Sequence, residues 1–318
     1  MAQLQTIKGL VDSNTLGITL LHEHVLWQFD DSRRKASIEF AIKLLNDAAK
    51  AGIKTLVDLT PHRRIDWYME IAAQTSVNII TCTGYYHQLG FLSQALAAFN
   101  ESQMVERMVQ ELSVGIDATP VRAGIIKVAG VRPELNPWEV QVFTAAAKAH
   151  LKTGAYIATH AVAGARQQAE VLQRAGANLS QVFFSHIDTE SGWEGRRVRE
   201  QAKYLEEIAR MGGWLLLNNF GCEFYTSPTN ESYLMRYLCD AGLQDKVLIS
   251  IDCNWTWNKD GKIEFEEEAN HPEAGKRTYA FMMTDTVLEL LKAGFTDKDI
   301  QAFLIDNPRK FFAQSGRG

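Results

Sequence analysis

The sequence of 318 residues lacks the features that mark nucleic-acid-binding, membrane-spanning and disulfide-rich proteins. Its formal net charge is −5 and no basic cluster is longer than Arg33-Arg34-Lys35, so a polyanion such as nucleic acid is not an expected partner. No apolar run approaches the ~18 residues that cross a bilayer, which excludes a membrane partner. The four cysteines share no short repeated spacing, which argues against both a CxxC metal site and a disulfide framework.

The composition is that of a folded globular protein. Hydrophobic residues make up 46% of the chain and charged residues 22%, and there is no low-complexity stretch. The segment 1–6 lacks the basic and then apolar order of a secretory signal. We therefore expect a cytoplasmic protein with reduced thiols and a single domain over residues 1–318.

Short apolar runs recur along the chain, and each is followed by a helix-length amphipathic segment. The eight runs cover residues 17–21, 52–58, 77–83, 122–127, 154–160, 181–186, 213–218 and 246–252. They are nearly continuous in apolar residues, as expected for parallel strands covered on both faces. The helical patterns between and after them include residues 37–51, 137–153, 195–211 and 279–293.

Eight strand-then-helix units in one domain predict the α/β class and a single (β/α)8 TIM-type barrel. An open doubly wound sheet is the alternative, but it usually has a glycine-rich turn after its first strand, where this chain has His22-Glu23-His24. Two connections are unusually long, residues 218–230 after strand seven and residues 253–276 after strand eight, and loops of this length are typical of functional sites. The acidic run within 264–268 is interpreted as a solvated face.

Side chains that bind metals fall at the predicted carboxyl ends of the strands, which converge on one mouth of a barrel. His22 and His24 are two residues apart, so both rings lie on one face of strand one. The other candidates end strands four, five, six and eight; they are Lys127, His160, His186 and Asp252. Imidazole and carboxylate suit zinc first, with manganese, cobalt or iron as alternatives.

The remaining histidines are weaker candidates. His62 and His87 follow strands two and three and could line the mouth, whereas His150 lies in a helix between lysines and is predicted to be on the surface; His271 is not assigned a role. Lys127 is unusual because burial beside cations lowers the pKa of an amine. A neutral amine can add carbon dioxide to form a carbamate that bridges two metals. The alternative is a lysine whose ammonium reaches solvent or pairs with an acid.

These residues and their order resemble the phosphotriesterase family of the amidohydrolase superfamily, over essentially the whole chain. The matching segments are Gly17-Ile18-Thr19-Leu20-Leu21-His22-Glu23-His24, Gly124-Ile125-Ile126-Lys127, Thr159-His160, Ser185-His186, Ser250-Ile251-Asp252 and Asn307-Pro308-Arg309-Lys310-Phe311-Phe312. The resemblance implies two divalent metal ions and a homodimer. It implies that His22, His24 and Asp252 hold the buried metal and that His160 and His186 hold the more exposed one. Carboxylated Lys127 and a hydroxide would bridge the two.

The resemblance also assigns a substrate pocket for a small molecule. Tyr86 stands where lactonases of the family carry a tyrosine that contacts the lactone. Asn219 stands where acyl-homoserine lactonases have arginine and phosphotriesterases have histidine, and it cannot relay protons as histidine does. Trp255 and Trp257 would form an apolar wall for the leaving group, with core packing as the rival use of these rings.

The chemistry expected is hydrolysis by a hydroxide that two metals share. Asp252 is the candidate proton acceptor and Tyr86 the group that steadies the polarised oxygen. A lactonase is the first hypothesis. The alternatives are an organophosphate triesterase or an N-acyl amide hydrolase with the same metal site, and a mononuclear deaminase, against which Lys127 argues. A non-catalytic metal-binding scaffold has no support in the sequence.

Overall fold

Eight parallel strands form a barrel in the computed structural model, which describes residues 2–86, 98–265 and 277–314. Consecutive barrel strands pair with each other in chain order. The barrel strands are β3 Ile18–Glu23, β4 Ile53–Asp58, β5 Asn78–Gly84, β6 Ile125–Ala129, β7 Tyr156–His160, β8 Val182–Ser185, β9 Trp214–Leu217 and β10 Val247–Ile249. An antiparallel hairpin, β1 Gln3–Thr6 and β2 Gly9–Asp12, precedes them.

The helices of the described residues surround the barrel. They are α1 Arg34–Lys50, α2 Ile65–Ala72, α3 Glu101–Ser113, α4 Pro137–Thr153, α5 Ala165–Arg174, α6 Val198–Arg210, α7 Pro228–Asp240, α8 Val287–Lys292, α9 Asp297–Gln301 and α10 Asn307–Phe312. Two segments are π-helical: Met282–Thr286 runs directly into α8, and Ala302–Asp306 joins α9 to α10. Short 3-10 turns cover Ser13–Thr15, Asp31–Arg33, Leu179–Gln181, Glu190–Gly192 and Gln244–Lys246.

The barrel and all eight of its predicted strands are confirmed. Helix α4 begins and ends at the residues that the sequence predicts, because its ends are encoded locally. Asn136 and Glu139 form a capping box around Pro137 at the first turn, and Gly154 ends the helix with a left-handed φ of 72°. No helix in the described parts of the chain has the length and apolar character needed to span a membrane.

Two apolar layers surround the strands. Inside the barrel, strands contribute one or two side chains each to a small cluster; examples are Leu21, Val57, Ile125, Phe183 and Leu248. A larger cluster fills the space between the strands and the helices. The interior is therefore packed with side chains, as in other barrels of this kind, and chemistry is confined to its ends.

Hydrogen bonds from both backbone and side chains join the last strand to the first. The His24 amide donates to the Cys253 carbonyl at 3.1 Å, and the Asp252 amide donates to the His22 carbonyl at 3.1 Å. The His22 amide donates to Ser250 Oγ at 3.0 Å. The residues after β10 are thus held directly against His22 and His24 at the end of β3, the first barrel strand.

A β-bulge turns His22 toward the mouth. Leu20 pairs with Leu56 and Glu23 with Asp58, so β3 has one residue more than β4 between these pairs. Leu21 therefore packs inside the barrel, and His22, the next residue, also reaches the mouth. Strict alternation would have placed these two neighbours on opposite faces.

Two predicted strand ends were wrong. Strand β6 does not end at Lys127 but continues to Ala129, because Val128 and Ala129 pair with residues of β7. Strand β10 ends at Ile249, so Asp252 lies three residues beyond it in irregular backbone. Lys127 is consequently deeper in the barrel than a strand-end side chain, and Asp252 is placed by a loop.

The connection after β10 is longer than usual, as predicted, but it is partly ordered as a hairpin. Strand β11 Trp255–Trp257 pairs antiparallel with β12 Ile263–Phe265. Most of the acidic run lies outside the described residues. After β9, irregular backbone extends only to Ser227, where α7 is capped by the Ser227 side chain.

Candidate metal centre

Two imidazoles at the carboxyl end of β3, the first barrel strand, meet the carboxylate of Asp252. Asp252 Oδ1 lies 3.4 Å from His22 Nε2 and 3.2 Å from His24 Nε2. Both histidines are buried. The pairing on one face that the spacing of His22 and His24 predicted is therefore present, and it converges on one carboxylate oxygen.

His186, which lies beside His160, faces the second oxygen of the same carboxylate. His160 and His186 have ring centroids 4.1 Å apart. Asp252 Oδ2 lies 3.6 Å from His186 Nε2, and the rings of His22 and His186 are 4.7 Å apart. One oxygen of Asp252 thus faces His22 and His24, and the other faces His186, whose ring contacts that of His160. This is the arrangement expected where one carboxylate stands between two cation positions.

Lys127 reaches this cluster from deeper inside the barrel. Its side chain is fully buried, and Nζ lies 3.4 Å from His22 Nε2. Burial lowers the pKa of Lys127 to about 8, although the charge of Asp252 acts in the opposite direction. The alternative of an ammonium that reaches solvent is therefore not what the structure shows.

The residues present fit a divalent cation. Ligand atoms of His22, His186 and Asp252 all lie within 4.8 Å of one another. Among the described residues, Asp252 Oδ1 is a buried oxygen with no hydrogen-bond partner, although two imidazole nitrogens face it. A buried carboxylate oxygen without a hydrogen-bond partner is costly, and a bound cation would satisfy it. Nitrogen and oxygen donors of this kind suit zinc and its neighbours.

The protonation states agree with that fit, because metal ligands must be deprotonated. Burial, followed by the charge of Lys127, lowers the pKa of His22 well below its ordinary value. Burial lowers the pKa of His186 to about 4, against the attraction of Asp252. For Asp252 burial acts to raise the pKa, but His186, His24 and Lys127 together bring it below its usual range. His22 and His186 are therefore neutral imidazoles and Asp252 is an ionised carboxylate at neutral pH.

Two candidate ligands have left-handed backbone. His186 has φ 61° and Asp252 has φ 55°. For residues other than glycine this conformation is uncommon and costs roughly 1–2 kcal/mol. It persists where the surroundings over-determine it, which is frequent at functional sites.

Buried polar side chains orient the imidazoles from behind. Thr60 Oγ1 lies 2.8 Å from His24 Nδ1. The side-chain nitrogen Nδ2 of Asn218 lies 2.9 Å from His186 Nδ1, and its Oδ1 accepts the backbone amide proton of His186 at 2.8 Å. Asp188 in turn accepts the amide protons of Asn218 and Asn219, both at 2.9 Å. Sequence reasoning missed these supporting residues, because nothing in their spacing links them to the histidines.

A chain of aromatic contacts covers one side of the cluster. The Trp27 ring lies 4.6 Å from the His24 ring and 6.1 Å from the Tyr86 ring. The Tyr86 ring lies 5.4 Å from the His160 ring. Tyr86 is therefore beside the centre, at the place where a substrate contact was predicted. Trp27 was missed, although its position three residues after His24 was the available signal.

The other predicted substrate contacts have structural partners. Asn219 is buried, and its amide nitrogen donates to Thr189 Oγ1 at 2.9 Å and to Thr226 Oγ1 at 3.3 Å. Trp255 donates from Nε1 to the Val25 carbonyl at 3.2 Å and packs on Phe40.

Trp257 donates from Nε1 to Ser37 Oγ at 2.9 Å, and Arg33 lies over its ring. Both tryptophans therefore pack against α1 and the turn before it, which is the rival use foreseen for them. A substrate-contacting role for Trp255, Trp257 or Asn219 stays a prediction.

The remaining histidines divide in two. His62 is half-buried beside Trp27, with Nε2 3.2 Å from the Trp27 carbonyl. The prediction that His150 lies on the surface was wrong. It is buried, with Nδ1 2.7 Å from the Ala155 carbonyl and Nε2 accepting the Asn178 amide proton at 3.3 Å. Flanking lysines misled that prediction, because the opposite face of α4 packs inward. His87 and His271 lie outside the described residues.

Comparison with known sequences gives a family and full-length relatives. The model of the phosphotriesterase family matches residues 2–312. The chain is 29% identical to the "Phosphotriesterase homology protein" of Mycobacterium tuberculosis, over 99% of both chains. It is 27% identical to "N-acetyltaurine hydrolase" of Bos taurus, covering 97% of each, and 26% identical to "Aryldialkylphosphatase" of Saccharolobus solfataricus, covering 96% of this chain and 98% of the relative.

Solved structures of similar chains share the whole fold. The phosphotriesterase from Mycobacterium tuberculosis superposes with a TM-score of 0.85 at 26% identity, over 99% of this chain and 100% of that one. A mutant of a PTE-like lactonase from Deinococcus radiodurans superposes with a TM-score of 0.84 at 27% identity, over 97% of this chain and 99% of that one.

Proposed function

Because this chain belongs to the phosphotriesterase family and is a hydrolase, we propose that it hydrolyses a carboxylic ester ring, a lactone, with the help of two divalent cations. The observation that carries the hydrolytic part is Asp252, whose Oδ1 faces His22 and His24 and whose Oδ2 faces His186, at 3.2–3.6 Å. Tyr86 beside His160 favours the lactone as substrate.

In this proposal six side chains hold the cations. His22, His24 and Asp252 would hold the inner one, His160 and His186 would hold the outer one, and Lys127 would contribute as a carbamate. Zinc is the first choice for both positions. When bound, such cations lower the pKa of a water so that hydroxide is available near neutral pH, and they polarise the oxygen of the bond to be cleaved.

Lys127 suits the carbamate because it is kept partly neutral. With its pKa at about 8, a fraction of the amine is unprotonated at neutral pH. The unprotonated nitrogen adds carbon dioxide and releases one proton, which leaves an anion with two oxygen atoms. That anion also removes the cost of holding an ammonium ion among four imidazoles.

Asp252 moves the proton in the reaction. Its Oδ1 is directed at His22 and His24, whereas Oδ2 lies on the His186 side of the centre. We assign Oδ2 as the atom that accepts the proton of the attacking water and then passes it to the leaving oxygen. In an ester ring that oxygen stays tethered to the product, so the proton has a short path.

In this proposal Tyr86 and Trp27 line the substrate pocket on the side of the first three barrel strands, β3 to β5. Tyr86, whose ring lies beside that of His160, would steady the polarised oxygen, and Trp27 would provide an apolar surface next to His24. Rings at this place favour a compact substrate head with an apolar edge.

A second function with the same site is hydrolysis of an N-acyl amide or of an organophosphate triester. Relatives named "N-acetyltaurine hydrolase" and "Aryldialkylphosphatase" match the chain over nearly its full length at 27% and 26% identity. The metal chemistry is common to all three bonds, so the pocket alone decides between them.

Parallel assays of the purified protein loaded with zinc or cobalt test the proposal. Lactones of different ring size, aryl dialkyl phosphotriesters and N-acetylated amines are compared by kcat/KM. We expect lactones to give the highest value, and Tyr86→Phe to lower it because the hydroxyl is lost. Turnover of phosphotriesters or amides far above all lactones would refute the lactonase assignment, and a protein that binds one cation per chain would refute the two-metal centre.

A further inference from the structure

The loop that carries Asp252 is held in an unfavourable conformation. Asp252 has φ 55° and lies beyond the end of β10, so no strand pairing fixes it. Unless neighbouring groups hold this backbone, an aspartate would relax to a conformation with negative φ. The carboxylate would then point away from the imidazoles, because φ sets the direction of the side chain.

The Glu23 carboxyl group accepts hydrogen bonds from this loop on both sides of Asp252. Oε1 accepts the Ile251 amide proton at 2.9 Å and the Ser250 hydroxyl at 2.6 Å. Oε2 accepts the Cys253 amide proton at 2.8 Å. Glu23 is fully buried, so water does not compete for these bonds. One side chain therefore fixes the residues immediately before and after Asp252.

Other contacts complete the grip on the same peptides. Arg277 donates from Nη2 to the Ile251 carbonyl at 2.5 Å. The Asp252 amide donates to the His22 carbonyl, and the Cys253 carbonyl accepts from the His24 amide. Glu23 is distinct among these groups because it alone binds both neighbours of Asp252 through a side chain.

The two backbone contacts require acceptor oxygens at both ends of the Glu23 carboxyl group. The Ile251 and Cys253 amides can only donate, and they use different oxygens of Glu23. Burial raises the pKa of Glu23 to about 8, and the protonated form still offers an acceptor at each oxygen. A glutamine in its place would turn an NH2 group toward a backbone N–H. Burying a carboxylate is costly when a strand could carry an apolar residue instead. That cost at the position between two candidate ligands, His22 and His24, is explained if the loop must be held.

We propose that Glu23 is a positioning residue, which sets the Asp252 carboxylate between His22 and His24 on one side and His186 on the other by holding residues 250–253. This inference rests on the proposed function, since it concerns the geometry of the same centre. Glu23 itself contacts neither cation nor substrate in this account. Its loss should therefore change how the cations are held, in addition to any loss of stability.

Glu23→Gln is the test variant and Glu139→Gln the matched control. Glu139 is also a buried glutamate that accepts a backbone N–H, from Asn136 at 2.9 Å, but it lies at the start of α4 and touches no residue of the 250–253 loop. Both variants and the wild type are titrated with Co²⁺. The readouts are the visible absorption spectrum, the dissociation constant and the number of ions per chain, with circular dichroism to verify folding.

We expect Glu23→Gln to bind Co²⁺ roughly 10- to 100-fold more weakly than wild type, with an altered absorption spectrum and a lower kcat at similar KM. Glu139→Gln should keep the wild-type spectrum and affinity even if it is less stable. Glu23→Asp, which keeps the carboxyl group, should restore part of the affinity, and it serves as the test if Glu23→Gln does not fold.

Two results separate the claims. If wild type binds Co²⁺ and the Glu23 variants match its spectrum and affinity, the positioning role is refuted and the metal centre stands. If wild type binds no Co²⁺ at all, the proposed function and this inference both fail.

Discussion

Replacing Lys127 by methionine should stabilise the metal-free protein and at the same time abolish its proposed activity. Lys127 is fully buried, and burial lowers its pKa from 10.5 to about 8. Below pH 8 the folded protein must therefore hold an ammonium ion in a place that disfavours it. Methionine has a similar length and no charge, so it removes this cost but provides no amine for a carbamate.

The size of the effect follows from proton linkage. Each pKa unit corresponds to about 1.4 kcal/mol, so a shift from 10.5 to about 8 amounts to roughly 3 kcal/mol at pH 7. Between these two pKa values the unfolded chain keeps its proton and the folded protein releases it. Stability of the wild type consequently rises with pH in this window. The advantage of the variant should shrink to roughly 1 kcal/mol by pH 9.5.

The measurement is urea denaturation of chelator-treated protein in bicarbonate-free buffer at pH 7 and pH 9.5. Lys148→Met is the control, because Lys148 is half-exposed on the neighbouring α4 and pairs with Glu101 at the surface. It should change stability by no more than about 0.5 kcal/mol. If Lys127→Met is not more stable than wild type at pH 7, or if its gain does not depend on pH, Lys127 is not a buried amine with a lowered pKa.

Three further predictions concern the centre itself. Asp252→Asn should keep bound metal while kcat falls by roughly 10²- to 10⁴-fold; unchanged hydrolysis would remove the proton-transfer role. Trp27→Ala should lower KM for lactones with bulky apolar tails relative to small rings, because the ring beside His24 is removed; an unchanged ratio of KM values would show that Trp27 does not bound the pocket. Zinc at 100 times the wild-type dissociation constant should stabilise the wild type against unfolding by about 2.7 kcal/mol. At the same zinc concentration Lys127→Met should gain less, and equal gains would place Lys127 outside the metal centre.

The barrel could be read from the sequence because its signals are local. Each strand is a short apolar run, and α4 carries its own capping residues, so both are written within a few neighbouring positions. The metal-binding residues were identifiable for a related reason. Parallel strands deliver their carboxyl ends to one mouth, so His160 and His186 could be placed together from their positions at strand ends alone.

Details that depend on distant parts of the chain could not be predicted. The bulge in β3 arises from pairing with β4, and pattern reasoning on either strand does not contain it. Sequence patterns also do not show that Trp255 and Trp257 turn back onto α1 and its preceding turn instead of toward the mouth. Both depend on how loops and helices pack after the barrel has formed.

The sequence alone thus determined the barrel, the identity of the candidate metal ligands and the oddity of a lysine among them. Tertiary structure alone decided how Asp252 faces the imidazoles, because its loop is held by Glu23 and by Arg277. The physical reason is separation along the chain: Glu23 and the Ile251 amide are 228 residues apart. They meet only when the last strand closes on the first.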